Sequence, residues 1–447
     1  MKRLLFTLGL FTLAVTTMQA QKEIVNVYKW FSGRNTGAIK EGSDVKGYYF
    51  FYASDKVDKK NYEFTLDIAD ENANILKSVK FVDSKDVQLL ETSFNGSDLI
   101  LLFYNEDAKT LDYQIWGPDG KKKYNYMREL TKKEKRYLEY TYFANDDDEN
   151  TYKGLYPIEG KGFIANMPSR EDKDYTFQVD FFSTEKRKQW TWIPSMSGKK
   201  FIGDYLGCHN NVVYIEMLKF NSMMDGNPES FLIGINLETG KQVFEKSTEQ
   251  SKYKFYPASM SVLDDGRAFI YGEYFDPNAN IAKDKSRGFA FWGVDEKGTT
   301  GTEKYCSWDL DMGKYLSVTS KGKIEDFGYM FLHNMIQTSD GSIYAIGEGY
   351  KKTASALGIL SQVATGGRGG LSTVKITVTD MLLIKFDKDF NVKGATIYEK
   401  NNNRVELQSG MEFVSGPLLG KLIKWNYGGF DYAYTQQNKD KTSFSVM

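Results

Sequence analysis

Short alternating apolar segments, each entered by a tight turn, recur along this chain and constrain its fold more than any other feature. Turns such as Asn95-Gly96 and Asp340-Gly341 precede strongly apolar runs. A second apolar run follows and ends in another turn, as at Thr239-Gly240. Turns of the Asn-Gly and Asp-Gly type between alternating runs are the strongest short-range signal for a β-hairpin. The chain is therefore predicted to be a succession of antiparallel hairpins.

The hairpins group into seven units of four strands. Second strands are predicted near residues 45–53, 97–105, 161–167, 211–220, 266–275, 341–349 and 418–426. Third strands are predicted near residues 61–69, 110–116, 174–183, 230–237, 287–294, 379–387 and 429–435. Self-similar four-stranded units with a period of about 40–60 residues indicate an all-β fold, a β-propeller with seven blades, whose closure removes exposed sheet edges. A six- or eight-bladed propeller and tandem β-sandwiches are the alternatives.

The composition agrees with β-structure and argues against several kinds of partner. The 447 residues include 30 Tyr, 30 Phe and 40 Gly, and aromatic residues with turn glycines favour strands. The 58 basic and 59 acidic residues nearly cancel, which argues against nucleic-acid binding through a positive field. After the first 20 residues no apolar run approaches the 18 residues of a membrane span. We expect a monomer without a membrane span and without a nucleic-acid partner.

Residues 1–20 have the three parts of a secretory signal peptide. A basic start precedes an apolar run over residues 4–15, which is too short to cross a bilayer, and Ala20 supplies a small residue before the cleavage site. The remaining residues, 21–447, are predicted to form a single β-propeller domain. The protein is expected to be exported to the periplasm, the cell surface or the medium. Cleavage before Gln21 resembles that of exported proteins of Bacteroidetes-type bacteria.

The sixth unit carries a more specific pattern. Its segment TSDGSIYAIGE at residues 338–348, followed later by LLIKFDKDFNVKG, resembles the secreted bacterial β-propeller repeat T-x-D-G-G-(apolar)₃-x-G with apolar-K-apolar-D-x-x-G. The fifth unit matches the first half of this repeat between Leu263 and Glu273. The resemblance implies an uncharacterised exported propeller. It assigns no catalytic residue, because the chain lacks the S-x-D-x-G-x-T-W box of sialidases.

Long connections are predicted to collect on one face of the propeller. They follow the second or fourth strand of a unit, at residues 127–151, 167–173, 221–229, 276–286, 307–322 and 350–378. Loops on a rigid scaffold commonly carry binding residues, so this face is the predicted binding surface. The candidate binding residues are Trp308, Tyr350, Arg368, Tyr274 and Arg287, with Trp308 and Tyr350 expected to be exposed. The apolar residues 354–363 of the longest connection are expected to pack over this face.

A short helix is predicted within the first of these connections. Thr131 and Glu134 have the spacing of a capping box, in which each side chain accepts a hydrogen bond from the other residue's backbone. The following residues 135–140 are mostly polar, so the helix should lie at the surface.

One loop resembles a calcium-binding segment. Asp276, Asn278, Asn280 and Asp284 stand at positions 1, 3, 5 and 9 of a calcium-loop count. The turn glycine and the final glutamate of such a loop are replaced by Ile281 and Arg287. An Asx-rich loop without a metal is the alternative reading, and no other cofactor is expected.

The two cysteines are predicted to remain free thiols. Cys208 falls on an inner strand of the fourth unit and Cys306 on an outer strand of the fifth. These positions are too far apart for the ~5.5 Å Cα spacing of a disulfide. Together with His209 and His333 they match no zinc-site spacing.

Two functional hypotheses from different classes follow. The first is a non-enzymatic exported propeller that binds a glycan, a peptide or a cell-envelope partner through the long-loop face, since no G-x-S-x-G, P-loop or H-E-x-x-H motif occurs. The alternative is a carbohydrate-active hydrolase or lyase with carboxylates, or Tyr and Arg, at the central channel. An enzyme should show paired carboxylates about 5–10 Å apart with a perturbed pKa, and a binding protein should show aromatic and amide groups.

Overall fold

The computed structural model describes residues 27–29, 36–41, 44–117, 119–142, 152–171, 174–195, 198–222, 227–249, 252–281, 283–319, 323–355, 371–408, 414, 416–426 and 428–447. Within these ranges the chain consists of antiparallel strands with two α-helices, α1 (Lys132–Tyr142) and α2 (Gly416–Asn426). None of the helices in these ranges is long and apolar enough to cross a membrane. The signal peptide predicted at residues 1–20 lies outside the described residues.

The chain separates into two compact units, and the first consists mainly of the first sheet. This sheet contains β1 (Thr36–Glu41), β2 (Asp44–Lys56), β3 (Asn61–Ala69) and β4 (Ile75–Ser84), paired in chain order. Its apolar side is aromatic, because the ring of Phe51 stacks on Phe64 at 5.2 Å and Phe64 stacks on Phe81 at 5.9 Å. The outer strand β4 leaves most of its side chains exposed.

The second unit holds five sheets of the same kind and a final hairpin. Its strands are β5 (Val87–Phe94), β6 (Leu99–Asn105), β7 (Thr110–Trp116) and β8 (Lys122–Glu129); β9 (Leu155–Ile158), β10 (Gly162–Glu171), β11 (Asp174–Ser183) and β12 (Arg187–Trp192); β13 (Lys200–His209), β14 (Val212–Phe220), β15 (Glu229–Asn236) and β16 (Gln242–Ser247); β17 (Lys254–Val262), β18 (Ala268–Phe275), β19 (Gly288–Asp295) and β20 (Gly298–Ser307); and β21 (Tyr329–Gln337), β22 (Ile343–Ala354), β23 (Leu371–Phe386) and β24 (Val392–Tyr398). In each sheet the strands pair in chain order, and β25 (Asn403–Gln408) also pairs with β23. The hairpin joins β26 (Thr435–Gln437) to β27 (Phe444–Val446).

Successive sheets of the second unit pack face to face. Between the second and third sheets, Leu102 and Tyr113 share a buried cluster with Phe163 and Phe182. Similar clusters join the third sheet to the fourth, the fourth to the fifth and the fifth to the sixth. First strands contact one another, as β13 contacts β17 and β17 contacts β21. Stacked four-stranded meanders with a core between each pair are the arrangement of β-propeller blades.

The fold therefore confirms the all-β propeller prediction, with seven sheets in the described residues. The first six predicted second strands and third strands are all present. The seventh sheet differs from the prediction, because β26–β27 contains only two strands. Residues 418–426, predicted as a strand, belong instead to helix α2.

Helix α2 forms because its apolar residues repeat with helical spacing. Leu419 and Ile423 are four residues apart, lie on the same side of the helix and are both fully buried. Pro417 occupies the first turn, where its missing N–H leaves no helical hydrogen bond unmade. A short apolar run of this length fits a strand or a helix equally well by composition alone.

Helix α1 has the predicted capping box. The backbone N–H of Thr131 donates to Glu134 Oε2 at 2.9 Å, and the N–H of Glu134 donates to Thr131 Oγ1 at 3.1 Å. Two residues of the helix, Leu138 and Tyr142, are buried in the core between the second and third sheets. The helix is therefore amphipathic and anchored at its C-terminal half.

Strands extend into two of the predicted loops. Residues 167–173 were expected as a connection, but β10 extends to Glu171 and pairs with β11 up to Asp174. In the longest connection, β22 continues to Ala354 and pairs with β23. The rest of that connection, residues 356–370, lies outside the described residues, and with it most of the segment expected to pack on the long-loop face.

Both cysteines are free thiols, as predicted. Cys208 lies on β13 and Cys306 on β20. Burial raises the pKa of Cys208 to about 11 and that of Cys306 to about 12. Both groups are therefore protonated at neutral pH and poorly reactive.

Candidate functional site

A cavity of about 300 Å³ lies beneath helix α2 in the second unit. The first strands of four successive sheets contribute to its wall, together with β18, the start of β19 and α2. Its lining comprises Lys153, Tyr156, Asp204, Tyr205, Tyr256, Ala258, Ser259, Gly272, Glu273, Phe289, Phe331, Leu332, His333, Pro417, Lys421, Lys424 and Trp425. A concave site with aromatic walls and a few converging polar groups is the usual form of a small-ligand pocket.

Helix α2 is seated closely against the strands around this cavity. A Cβ atom at Gly420 would lie 2.6 Å from the ring of Phe331 and 3.3 Å from the hydroxyl of Tyr350, so only glycine fits without displacement. The Tyr350 hydroxyl donates to the Gly416 carbonyl at 2.7 Å and holds the start of the helix. Leu418 packs on the cluster that includes Ile281, in the connection between β18 and β19. The helix therefore lies at the end of the sheets from which the long connections leave.

Equivalent β-bulges shape three of the cavity-lining strands. In β13 the pairing register shifts at Leu206, in β17 at Ala258 and in β21 at His333. Strand β5 has the same irregularity at Leu90. A bulge inserts one unpaired residue and re-aims the neighbouring side chains, which is why bulges are common next to functional sites.

Three glutamates occupy equivalent positions on the neighbouring second strands, each opposite a first-strand residue close to the bulge. Glu216 on β14 pairs with Asp204, Glu273 on β18 pairs with Tyr256, and Glu348 on β22 pairs with Phe331. Each of the three partners lines the cavity. The neighbourhood of each glutamate is different, and the difference sets its charge.

The first glutamate belongs to a buried ion cluster. The Lys421 ammonium donates to Asp204 and lies 3.3 Å from Glu216 Oε2. Burial alone would lower the pKa of Lys421, but the charges of Asp204 and Glu216 outweigh it and raise that pKa well above its usual value. Burial raises the pKa of Glu216 to about 7 in spite of the lysine. The cluster fixes α2 to β13 and β14.

The third glutamate is saturated with partners. Glu348 lies 2.9 Å from His333 Nε2 and 3.1 Å from Lys400 Nζ, and it accepts the backbone N–H groups of Asp431 and Tyr432. Burial alone would raise its pKa, but these donors and charges lower it to about 2. The side chain of His333 is completely buried, and desolvation lowers its pKa to about 4. At neutral pH the glutamate is ionised and the histidine is uncharged.

The middle glutamate has the fewest partners and lines the cavity. Among the described residues Glu273 makes no ion pair, and its carboxyl accepts a hydrogen bond from Ser286. Desolvation raises its pKa to about 7, so the protonated carboxyl is present beside the ionised form at neutral pH. The position of the Ser286 hydroxyl is fixed by a second hydrogen bond, which Trp308 Nε1–H donates to it at 3.0 Å.

Aromatic groups form the other walls. The rings of Tyr156 and Tyr205 stack at 4.2 Å, and the Trp425 ring meets Tyr152 edge-on at 6.1 Å. The hydroxyl of Tyr256 is buried at the cavity and makes no hydrogen bond of good geometry among the described residues, although the Lys421 ammonium lies near it. A buried hydroxyl without a partner is unusual and is satisfied when a ligand or water supplies one.

Two further lysines add positive charge. Lys424 Nζ lies 5.3 Å from the centre of the Trp425 ring and 5.4 Å from that of Phe331. Burial, with the charge of nearby Lys153, lowers the pKa of Lys424 to about 8. Lys153 itself is exposed and lies 5.7 Å from the ring of Tyr156.

The aromatic residues predicted to bind are buried. Trp308 is 4% exposed and Tyr350 is 1% exposed, so the expectation that they present free rings on the long-loop face is wrong. Both nevertheless lie one contact from the cavity, Trp308 through Ser286 and Tyr350 through α2. Tyr274 is buried between the rings of Tyr253 and Tyr305.

The charged residues predicted to bind lie apart from the cavity. Arg287 is exposed and pairs with Asp276 at 3.0 Å, so one of the predicted calcium ligands is held by a cation. Asp284 accepts the backbone N–H of Asn280. No cluster of three or more His, Cys, Asp or Glu suited to a metal ion is found in the described part of the chain. Arg368 lies outside the described residues.

Sequence reasoning missed the three glutamates and the lysines of α2. A signal for the glutamates is present, because Glu216, Glu273 and Glu348 each interrupt an apolar strand run, in VVYIEM, AFIYGEY and IYAIGEGY. An acidic residue at one position of successive buried strands indicates either a paired charge or a site. Lys421 could not be found in this way, because it pairs with Asp204 across 217 residues of sequence.

Comparison with known proteins gives a family. The chain matches, over residues 1–447, the family described as a family of unknown function (DUF6770), and it belongs to that family. No curated protein matches the chain.

Similar solved structures are distant. A quinohemoprotein alcohol dehydrogenase from Pseudomonas putida is 10% identical with a TM-score of 0.38, and the similarity covers 82% of this chain but only 63% of that protein. The β-propeller domain of the Trilobed protease from Pyrococcus furiosus is 10% identical with a TM-score of 0.35, covering 86% of this chain and all of that one. An exo-β-1,3-galactanase from Phanerochaete chrysosporium is 11% identical with a TM-score of 0.25, covering 85% and 93%.

Proposed function

We propose that this protein is a non-enzymatic binding propeller that holds a saccharide in the cavity beneath α2. The observation that carries the proposal is a cavity of about 300 Å³ with aromatic walls, whose lining includes polar groups such as the buried Tyr256 hydroxyl and the Glu273 carboxyl. Aromatic faces pack on the apolar faces of sugar rings, and fixed polar groups bind their hydroxyls. A peptide or a cell-envelope protein is the alternative partner and would have to insert a side chain beneath the helix.

The state of the carboxylates favours binding over hydrolysis. Glycoside hydrolysis needs one protonated carboxyl and a second, available carboxylate as base or nucleophile. Asp204 and Glu216 are both engaged by Lys421, and Glu348 is saturated by His333, Lys400 and two backbone donors. Among these described carboxyl groups, Glu273 combines a raised pKa with the absence of an ion pair, which are the properties of an acid catalyst.

The decisive experiment is a binding screen with variants of the cavity. Purified protein is screened against a glycan panel and a peptide panel, and hits are measured by calorimetry. Tyr256→Phe should weaken saccharide binding roughly 10-fold, because the bound sugar loses the Tyr256 hydroxyl as a hydrogen-bond partner. Tyr398→Phe, at an exposed tyrosine on β24, is the matched control and should bind as the wild type does. Equal affinity of Y256F and wild type would show that the cavity is not the binding site.

A hydrolase is the second candidate, and the raised pKa of Glu273 is the observation that favours it. Each glycan that binds is therefore also incubated with the protein and assayed for new reducing ends. If the protein is a hydrolase, Glu273→Gln should reduce turnover by roughly 100-fold or more while leaving binding largely intact. Absence of turnover on every bound glycan would support the binding role.

We also propose that the protein is exported through its first 20 residues. The support is the basic, apolar and small-residue succession of that segment. Fractionation of cells followed by N-terminal sequencing should recover chains that begin at Gln21 outside the cytoplasm. Recovery of chains with Met1 in the cytoplasm would overturn this part of the proposal.

A further inference from the structure

The three equivalent glutamates differ in whether the chain supplies a cation beside them. Glu216 lies 3.3 Å from the ammonium of Lys421, and Glu348 lies 3.1 Å from that of Lys400. Glu273 stands between them in the order of the sheets and makes no ion pair with any described residue. The fold therefore provides a counter-ion at two of the three positions.

The surroundings of Glu273 make the missing counter-ion significant. Its carboxyl accepts a hydrogen bond from Ser286, and desolvation raises its pKa to about 7. A carboxylate withdrawn from water is unfavourable without a positive charge, and a cation placed beside it stabilises its ionised form. A cationic group on a ligand in the cavity would therefore supply at Glu273 what Lys421 supplies at Glu216.

The lysines that line the cavity do not fill this role. The pKa shift of Glu273 has two causes, desolvation and the hydrogen bond from Ser286, and no lysine charge contributes to it. Lys421 is engaged instead by Asp204 and Glu216. A ligand cation beside Glu273 would therefore be separated from the lysine ammonium groups.

An aromatic ring flanks Glu273 on the next strand. Phe289 pairs directly with Glu273 in the register of β18 and β19, so the two side chains lie on the same face of the sheet, and both residues line the cavity. Trp308 packs edge-on against the Phe289 ring at 4.8 Å and fixes its position. Because the face of an aromatic ring attracts an ammonium group, the carboxylate and the ring together suit a cationic group.

We propose that the ligand is an amino sugar, a hexosamine unit whose protonated amino group pairs with the Glu273 carboxylate beside Phe289. This inference rests on the proposed saccharide-binding function and names the chemical class of the ligand. The volume of about 300 Å³ suits a short segment of one or two sugar rings.

Matched sugars test the charge separately from the ring. Methyl glycosides of glucosamine and galactosamine are compared with their N-acetyl forms, which have no charge, and with those of glucose and galactose. Calorimetry at pH 7 should show that the amino forms bind roughly 10-fold or more tightly than either uncharged form. Equal or weaker binding of the amino forms overturns the amino-sugar inference and leaves the proposed saccharide binding standing. Absence of binding to these sugars and to every member of the glycan panel overturns both.

A glutamate variant locates the amino group. Glutamine has the size of glutamate without its charge, so E273Q should remain folded, which circular dichroism checks. Its affinities for the amino and uncharged sugars should agree within about 2-fold, because the counter-ion of the amino group is gone. Glu159→Gln, at an exposed glutamate outside the cavity, is the control and should keep the preference for the amino sugar. An unchanged preference in E273Q would contradict the assignment.

Discussion

Glu273 and Glu348 occupy the same position in neighbouring sheets, yet the fold treats them in opposite ways. Glu348 accepts two backbone N–H groups and lies beside His333 and Lys400, which lowers its pKa to about 2. Glu273 has Ser286 as its hydrogen-bonding side chain, and burial raises its pKa to about 7. The same residue type in the same register thus serves as a structural anion in one sheet and as a cavity-facing acid in the next.

Glu348→Gln should have the largest effect of these variants, and it should lower the free energy of unfolding. The change leaves Lys400 and two backbone donors without their anion, so the free energy of unfolding at pH 7 should fall by about 3 kcal/mol. Urea denaturation followed by circular dichroism measures it. Glu406→Gln, in the same sheet on β25, offers a comparison at a carboxylate with no ion pair among the described residues and should cost less. A loss below about 1 kcal/mol for E348Q would contradict the assignment of Glu348 as a structural anion.

The pH dependence of unfolding should report the His333–Glu348 pair. The pKa of His333 is lowered from 6.5 to about 4 in the folded state, so its contribution to stability is complete above pH 6.5 and is lost as the pH falls through 4. The free energy of unfolding should drop by about 3 kcal/mol over this window. His333→Gln should flatten the curve there, whereas His209→Gln, at the chain's other histidine, should keep it. Identical slopes for the wild type and H333Q would contradict the assignment.

At high pH Glu273→Gln should raise the free energy of unfolding, whereas E348Q should lower it. The folded-state pKa of Glu273 is raised from 4.5 to about 7, so the wild type loses stability as the pH rises through 7. Glutamine cannot ionise, and E273Q should gain about 2–3 kcal/mol relative to wild type between pH 5 and pH 9. Denaturation curves at both values provide the measurement. A difference between E273Q and wild type that does not vary with pH would mean that Glu273 is not desolvated.

Trp308→Phe should have the smallest effect, because it removes one hydrogen bond behind Ser286 and keeps an aromatic ring. A loss of about 1 kcal/mol is expected beyond that caused by the smaller ring. Trp292→Phe is the matched control, since Trp292 Nε1 is buried without a hydrogen-bond partner among the described residues. The difference between the two variants isolates the Trp308–Ser286 bond, and equal losses would argue that this bond contributes nothing.

The strands were predictable because their signals are local. Turns such as Asn95-Gly96 fix the start of a hairpin within a few residues, and the capping box at Thr131 and Glu134 does the same for α1. Residues 418–426 were misassigned because a short apolar run carries no unambiguous period, and only burial of Leu419 and Ile423 decides it.

The site was harder to predict because it depends on distant pairing. An acidic residue within an apolar strand is visible at Glu273, but its pKa depends on which partners the fold brings near. Trp308 shows the same dependence on contacts between residues that are distant in the sequence. Its position near the long connections was predicted, whereas its burial against Phe289 and its bond to Ser286 depend on packing.

The bulges at Leu206, Ala258 and His333 restrict how this sequence can change during evolution. The extra residue of a bulge bends its strand and increases the local twist, so its loss would restore regular pairing and straighten the strand. Deleting Leu206 would straighten β13 next to Asp204, the partner of Lys421, although no residue of the cavity itself had been altered. Substitutions at these positions can be absorbed by repacking, whereas single-residue insertions or deletions in β13, β17 and β21 should be nearly absent among proteins that keep this cavity.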